Sequence, residues 1–324
     1  ARRGGRSEAL KLCGREEAEH ELAALGDLGG RFLYLGEALY PRLLAAIEDA
    51  PPVLAVMGEP HLLEKPSVAI VGARNASAAG IRIARRLAAE LGEAGFVVVS
   101  GLARGVDAAA HAGALEAGTT AVLAGGLDNI YPPENAELYA AIKSQGVLVS
   151  EMPLGTAPQA RHFPRRNRLI SGLSRGVVVV EAAERSGSLI TARLALEQGR
   201  EVLAVPGSPL DARAHGTNKL IRSGATLVQS AADILEAVAG PDGQRLREPE
   251  ALPPTDGPGA LLPDESEVAA ARALIIERLG PSPIEVDELV RQTGFSPALV
   301  LSVLLELELA GRLERQPGQR VCLL

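Results

Sequence analysis

Short β-rich runs alternate with helical patterns from residue 67 to residue 239, and this alternation limits the chain's possible folds more than any other feature. It builds a mainly parallel sheet covered by helices. Ser67–Val71 is the first run and Phe96–Val99 the second, and residues 119–123, 147–149, 177–180, 201–205 and 226–228 continue the series. Most of these runs are apolar at successive positions, as strands buried between two helical layers must be. Gly118, Gly146, Gly199 and Gly224 stand where the intervening helices end, which predicts left-handed C-caps.

The pattern stops at Gly240. Between residues 240 and 263, 6 prolines and 4 glycines fill 24 positions, the composition of a linker. Residues 264–324 read as three helical segments and a terminal hairpin around Pro317-Gly318. Ser296 is placed to cap one of those segments with Pro297 in its first position, and Leu299, Val300, Val303, Leu304 and Leu307 keep helical spacing along it. Three helices and a wing predict a winged-helix-like domain. Residues 1–63 read as a helical leading region, punctuated by Tyr40-Pro41 and Pro51-Pro52, that packs on the sheet of a Rossmann-like domain spanning 64–239. The expected fold class is therefore α/β: an extended Rossmann-like, mainly parallel sheet with flanking helices, plus a small C-terminal winged-helix domain.

Composition excludes several other classes. With 47% hydrophobic and 23% charged residues, the chain is neither disordered nor fibrous. No apolar run approaches the ~18 residues of a membrane span, and the arginine-rich start leads into mixed charge instead of a signal-type apolar segment, so a cytoplasmic protein is expected. Cys13 and Cys322 lie at opposite ends, and the five histidines include no close pair, so neither a disulfide framework nor a metal site is expected. The net charge of −7 argues against nucleic acid only as a whole-chain sum, which hides local patches. Only 4 of the 33 basic residues are lysines. Genomic base composition accounts for much of that bias, so the position of the arginines has to decide their role.

Four loops could carry chemistry. The first strand ends in Gly72-Ala73-Arg74-Asn75-Ala76-Ser77 before a helix. A dinucleotide fold needs a second glycine where Arg74 stands, and the second strand ends in Ser100-Gly101 with no carboxylate for a ribose, so no cofactor is expected. A helix N-terminus, a close-approach glycine and a guanidinium make either an anion site or a capped turn with a solvated arginine. The second loop, Ser100 to Asp107, repeats small residues around Arg104 and Gly105; Asp107 reads as a helix cap, and His111 as either an acid–base group or, more commonly, a packing residue. The third stretch, Arg161-His162-Phe163-Pro164-Arg165-Arg166-Asn167-Arg168, has four arginines and no acid. Arginines can track a phosphate backbone while Phe163 stacks on a base, although a solvated basic turn with Phe163 folded inward would share this sequence. The fourth, Glu181 to Ser188, offers two serines and free N–H groups at a helix start, and Thr191 follows within that helix. His215-Gly216-Thr217-Asn218 adds a polar rim. Several anion-favouring loops on one sheet edge suit an extended polyanion better than one phosphate ester.

These loops occur in an order that resembles the bacterial DNA-processing protein A family, DprA, also called Smf. The resemblance rests on Ala69–Arg74, Ser100–Asp107, Phe163–Ile170, Ser186–Ala192, Ala204–Gly207 and His215–Asn218, and it spans most of residues 40–238. It implies a Rossmann-type domain that binds single-stranded DNA and dimerises through itself. It further implies a partner, the RecA recombinase, which is loaded onto incoming DNA in natural transformation, and it places Arg74 and Phe163–Arg168 in the DNA groove. The candidate nucleic-acid contacts are Gly72, Arg74, Ser77, Gly101, Arg104, Gly105, Phe163, Arg165, Arg166, Asn167, Arg168, Ser186, Gly187, Ser188, Thr191 and Asn218. Residues 264–324 look like the family's winged-helix appendage. Glu306 and Glu308 on the helix that would read a duplex argue for a protein-contact or dimer element instead. Under this resemblance the family's leading helical domain is expected to be shortened.

Two functions from different classes follow. The first is a non-enzymatic single-strand binder that delivers DNA to a recombinase. The second is a nucleotide-phosphate N-glycosidase on a related sheet, with Glu181 or Asp107 as its carboxylate, against which stands the missing Pro-Gly-Gly-x-Gly-Thr loop.

Overall fold

Most of the β-branched runs form strands buried on both faces, the edge strand at Thr226–Leu227 being exposed, and successive residues in each serve opposite sides of the sheet. In this computed structural model, which describes residues 13–239, 265–280, 284–310, 312–316 and 320–323, the chain divides into two compact units, the first reaching Arg247. The first unit opens with α1 (Arg15–Asp27), β1 (Gly30–Tyr34), α2 (Arg42–Ala45) and β2 (Val53–Gly58). The alternation then follows as β3 (Ser67–Val71), α3 (Ala78–Glu93), β4 (Val97–Ser100), α4 (Val106–Ala114), β5 (Thr119–Val122), α5 (Ala136–Gln145) and β6 (Val147–Ser150). It continues as α6 (His162–Leu173), β7 (Gly176–Val179), α7 (Gly187–Glu197), β8 (Glu201–Ala204), α8 (His215–Arg222), β9 (Thr226–Leu227) and α9 (Ala231–Val238).

Nine strands make one sheet in the order β1-β2-β6-β5-β4-β3-β7-β8-β9. β3 to β9 are mutually parallel, while β2 runs antiparallel to both β1 and β6. Ala69 and Val71 join the core under α2, α6 and α7, and Val68 and Ile70 join the core under α3, α4 and α9, as the period of two demands. The chain builds outward from β3 to β6, then returns over the sheet through α6 to place β7 on the other side of β3. That reversal leaves a crevice at the carboxyl ends of β3 and β7, where open α/β sheets bind ligands.

Two features depart from the sequence reading. Residues 1–63 were expected to be helical, but β1 and β2 within them belong to the main sheet, so the leading region completes the sheet as well as packing on it. Arg31 interrupts the apolar residues of β1, and the apolar run of β2 follows directly on Pro51-Pro52. Gly146, expected in the left-handed region, has φ −127°; it is required because a Cβ there would stand 2.5 Å from the Thr119 carbonyl oxygen. Gly118, Gly199 and Gly224 do have positive φ.

The second unit holds α10 (Glu265–Arg278), β10 (Ile284–Glu285), α11 (Val286–Thr293), α12 (Pro297–Leu309), β11 (Leu313–Gln316) and β12 (Arg320–Leu323), with an antiparallel sheet ordered β10-β12-β11. The Ser296 hydroxyl accepts the Leu299 N–H at 3.3 Å, and Leu299, Val300, Val303, Leu304 and Leu307 are all buried. This is the expected capped, one-sided helix of a winged-helix domain. Glu306 pairs with Arg272 at 2.6 Å. The turn at Pro317-Gly318 and the 240–263 segment lie outside the described residues.

Candidate nucleic-acid interface

The octet around Phe163 occupies the first turns of α6, and helical geometry divides its arginines between two faces. Phe163, Arg166, Asn167 and Ile170 follow i, i+3, i+4, i+7 spacing and line a cleft of about 570 Å³ at the switch point. Opposite them stand Gly72, Ala73, Arg74 and Asn75 after β3, Ser186, Gly187, Ser188 and Thr191 at the start of α7, and Arg185 and Arg213. Arg165 and Arg168 belong to another stripe. Arg168 was expected in the groove, yet its guanidinium is bound to the buried Glu151 carboxylate and lies 3.2 Å from Asp49, while Arg165 reaches the other Glu151 oxygen at 2.9 Å. Neither residue lines the cleft.

Phe163 is half-buried at the cleft mouth. The Arg74 guanidinium lies 5.0 Å from the ring centroid, the Arg166 guanidinium 6.0 Å, and the Tyr131 ring packs at 5.8 Å with a 57° tilt. Two cations and an aromatic therefore fix the ring's orientation, so a base stacking on it meets a surface that is already ordered.

Arg166 also differs from its sequence expectation as a phosphate-capturing group, since it is only 6% exposed. Its Nη1 donates to the Gly101 carbonyl oxygen at 2.6 Å and to that of Val122. Burial lowers its pKa to about 10, against the opposing charge of Asp107. Asp107 is not a cap. It sits within α4, where one carboxylate oxygen accepts the N–H groups of Gly101 and Ala103, and burial pushes its pKa up despite Arg166 nearby. His111 is fully buried; its Nδ1 contacts the Thr119 hydroxyl at 2.8 Å and its Nε2 accepts the Leu102 N–H, and burial holds its pKa down at about 3. A neutral ring thus fixes Leu102, a residue at φ 55° that only tertiary contacts would hold there.

The glycines expected to admit a phosphate serve the chain's own packing. A Cβ on Gly72 would meet Val106 at 2.7 Å, one on Gly101 would meet Arg166 at 2.3 Å, and one on Gly105 (φ 77°) would meet the Ala73 carbonyl oxygen at 2.3 Å. Gly187 is open, with nothing within 4 Å of such a Cβ, at the start of α7 where the Ser186 hydroxyl accepts the Ser188 N–H. Ser77 caps α3 and is engaged by Glu181. Arg104 faces Glu134 at 3.6 Å on an adjoining 230 Å³ recess that also touches Phe163 and Tyr131. Asn218 clasps Gly207 through both amide atoms and does not line the cleft.

The structure thus brings Gly72, Arg74, Phe163, Arg166, Asn167, Ser186, Gly187, Ser188 and Thr191 to one cleft, places Gly101 and Arg104 on the adjoining recess, and leaves Ser77, Gly105, Arg165, Arg168 and Asn218 outside both linings. Arg185, Arg213 and Tyr131 were not foreseen. Arg185 stands in a loop read for its serines, and Arg213 and Tyr131 come from loops with no periodic signal.

Breaking the Glu151 network should cost stability and not binding. Arg168→Leu leaves a buried carboxylate short of a partner, an expected loss of about 3–5 kcal/mol. Chemical denaturation reads that loss, while oligonucleotide affinity of the folded variant should stay within roughly twofold of wild type.

A doubly wound sheet whose switch-point cleft is rimmed by arginines, an aromatic and a helix N-terminus defines a Rossmann-like protein suited to phosphate-bearing ligands. The sequence model of the family described as DNA recombination-mediator protein A matches residues 31–239, and that of the DprA winged helix domain matches 258–319. The chain belongs to the DNA recombination-mediator protein A (DprA/Smf) family. It is 41% identical over 310 residues to Protein Smf of Escherichia coli, covering 95% of this chain and 78% of that one. Against DNA processing protein DprA of Bacillus subtilis it is 48% identical over 218 residues, 66% of this chain and 73% of the relative. Among solved structures, DprA from Streptococcus pneumoniae superposes with a TM-score of 0.65 at 41% identity, over 69% of this chain and 78% of that chain. DNA processing protein A from Helicobacter pylori, described for its single-stranded DNA binding mode, gives 0.59 at 31% identity, over 63% and 94%. No helix among the described residues is long and apolar enough to cross a membrane.

Proposed function

We propose that this protein holds single-stranded DNA in the switch-point cleft and delivers it to the RecA recombinase in recombination and natural transformation, acting as a cytoplasmic homodimer joined through the Rossmann-like domain. The observation that carries this reading is Phe163, held at the cleft mouth by Arg74 and Tyr131 with Asn167 and the Ser186–Ser188 turn beside it. A base can stack on the ring only when it is unpaired, whereas Arg74 and Arg185 answer the sugar-phosphate chain whatever its sequence. The described single-strand binding of the Helicobacter pylori relative supports the same ligand.

The protein does no chemistry on the strand. Both carboxylates an N-glycosidase could use are committed elsewhere: Asp107 to the Gly101–Ala103 loop and Glu181 to Ser77. Incubation with nucleoside monophosphates should release no free base, and release at enzymic rates would reverse this assignment.

Removing two of the exposed cations of the cleft, Arg74 and Arg185, should lower the slope of log affinity against log salt by about 1.4, since each contact with a single strand contributes about 0.7. The delivery step is read by the lag before RecA filament assembly on a single strand already coated with a single-strand binding protein. Wild type should shorten that lag and the Arg74→Ala, Arg185→Ala variant should not. An unshortened lag with wild type would sink delivery while leaving strand binding intact.

A further inference from the structure

In a dinucleotide-binding sheet, the N-terminus of the helix after the first strand of the doubly wound core receives the ligand's pyrophosphate. Here that helix is α3, after β3 at the switch point, and a carboxylate of the chain already stands there. Glu181, just past β7 on the neighbouring strand, accepts the Ser77 N–H through Oε2 at 2.9 Å and the Ser77 hydroxyl proton through Oε1. The Ser77 oxygen in turn accepts the Gly80 N–H at 2.9 Å. Gly80 is part of the fit, because a Cβ on it would stand 2.6–2.8 Å from the Glu181 carboxyl atoms.

We propose that Glu181 is the resident anion of the α3 N-terminus and determines ligand class, closing that helix end at the switch point to free nucleotide phosphates. Four features point the same way. The carboxylate takes the charge-assisted bonds that a phosphate oxygen would take. Its negative charge satisfies the positive end of the 16-residue α3. It is tethered to β7, so a free phosphate must displace a ligand whose effective concentration is at least millimolar. Displacement would also strand a half-buried carboxylate, and Arg213, a cation that senses its charge, is already paired to Asp211. Mononucleotides abundant in a cell are thereby kept off the α3 N-terminus, and Arg74, Phe163 and the α7 start are left to a phosphodiester chain. Only this last clause rests on the strand-binding reading above.

The test is calorimetric titration of inorganic phosphate and of deoxyadenosine monophosphate into wild type, Glu181→Gln and Glu181→Ala, with no oligonucleotide present. Glu181→Gln is nearly isosteric and keeps an acceptor for Ser77, so it stays folded if the alanine variant does not. Wild type should show no saturable uptake of either ligand. The variants should gain it, alanine more than glutamine, with an apparent affinity on the order of tenfold or more above any wild-type signal. Equal uptake by all three proteins, or none by the folded variants, overturns the proposal. Strand affinity is measured separately, so failure of the strand-binding reading would not be mistaken for failure of this one.

Discussion

Replacing Phe163 with alanine should weaken single-strand binding by about 5- to 150-fold, the equivalent of the ~1–3 kcal/mol that one base–aromatic stack contributes. Because no charge is removed, the salt slope should stay that of wild type. Fold stability should change little, since the ring is half-buried at the cleft mouth and none of the clusters that hold the sheet includes it. Phe163→Leu separates stacking from simple apolar contact: leucine keeps apolar surface but lacks a flat face, so it should bind nearly as poorly as alanine, whereas Phe163→Trp should bind at least as well as wild type. Titration of a labelled oligonucleotide measures all three. Wild-type affinity in both the alanine and leucine variants would remove the ring from the interface.

The second large effect is on stability. Arg166→Met should destabilise the first unit by about 3–5 kcal/mol, because it leaves Asp107 as a buried carboxylate beside two carbonyl groups that lose their donor. For a unit of this size that is a fall of about 6–20 °C in Tm, read by thermal denaturation. Adding Asp107→Asn removes the stranded charge and should recover part of the loss. Strand binding should fall as well, though through the Gly101–Gly105 loop and the Phe163 ring that Arg166 supports. An undiminished Tm in Arg166→Met would contradict the assignment of this arginine as an internal brace.

Seven of the nine strands of the main sheet were legible because buried parallel strands are written as unbroken apolar runs that need no partner to be recognised. β1 was not, since Arg31 interrupts its apolar residues; β2 does carry the apolar run Val53–Met57, but it follows Pro51-Pro52 inside a leading region read as helical, and only its pairing with β6 shows it to be part of the sheet. The winged-helix unit was readable from the Ser296-Pro297 cap and the five buried positions behind it. At the site, residue type was legible and direction was not. A run of four arginines reads as one basic patch, but at 100° per residue it must split, and only the tertiary neighbours show that Arg165 and Arg168 meet Glu151 while Arg166 turns inward under Gly101. The same limit explains Gly72, whose place at a phosphate-type turn is filled by Val106. Glu181, weighed as an enzyme's carboxylate, is explained only once β3 and β7 are known to be neighbours.

The central claim is that the cleft holds unpaired nucleic acid through one stacking ring and a few phosphate contacts. Fluorescence anisotropy of one labelled oligonucleotide, free and annealed to its complement, over a salt series with the wild-type protein tests it most directly. Tighter binding to the single strand, with log affinity falling in proportion to log salt by about 0.7 for each phosphate contacted, is the predicted result. Equal or tighter binding to the duplex, or affinity indifferent to salt, would contradict it.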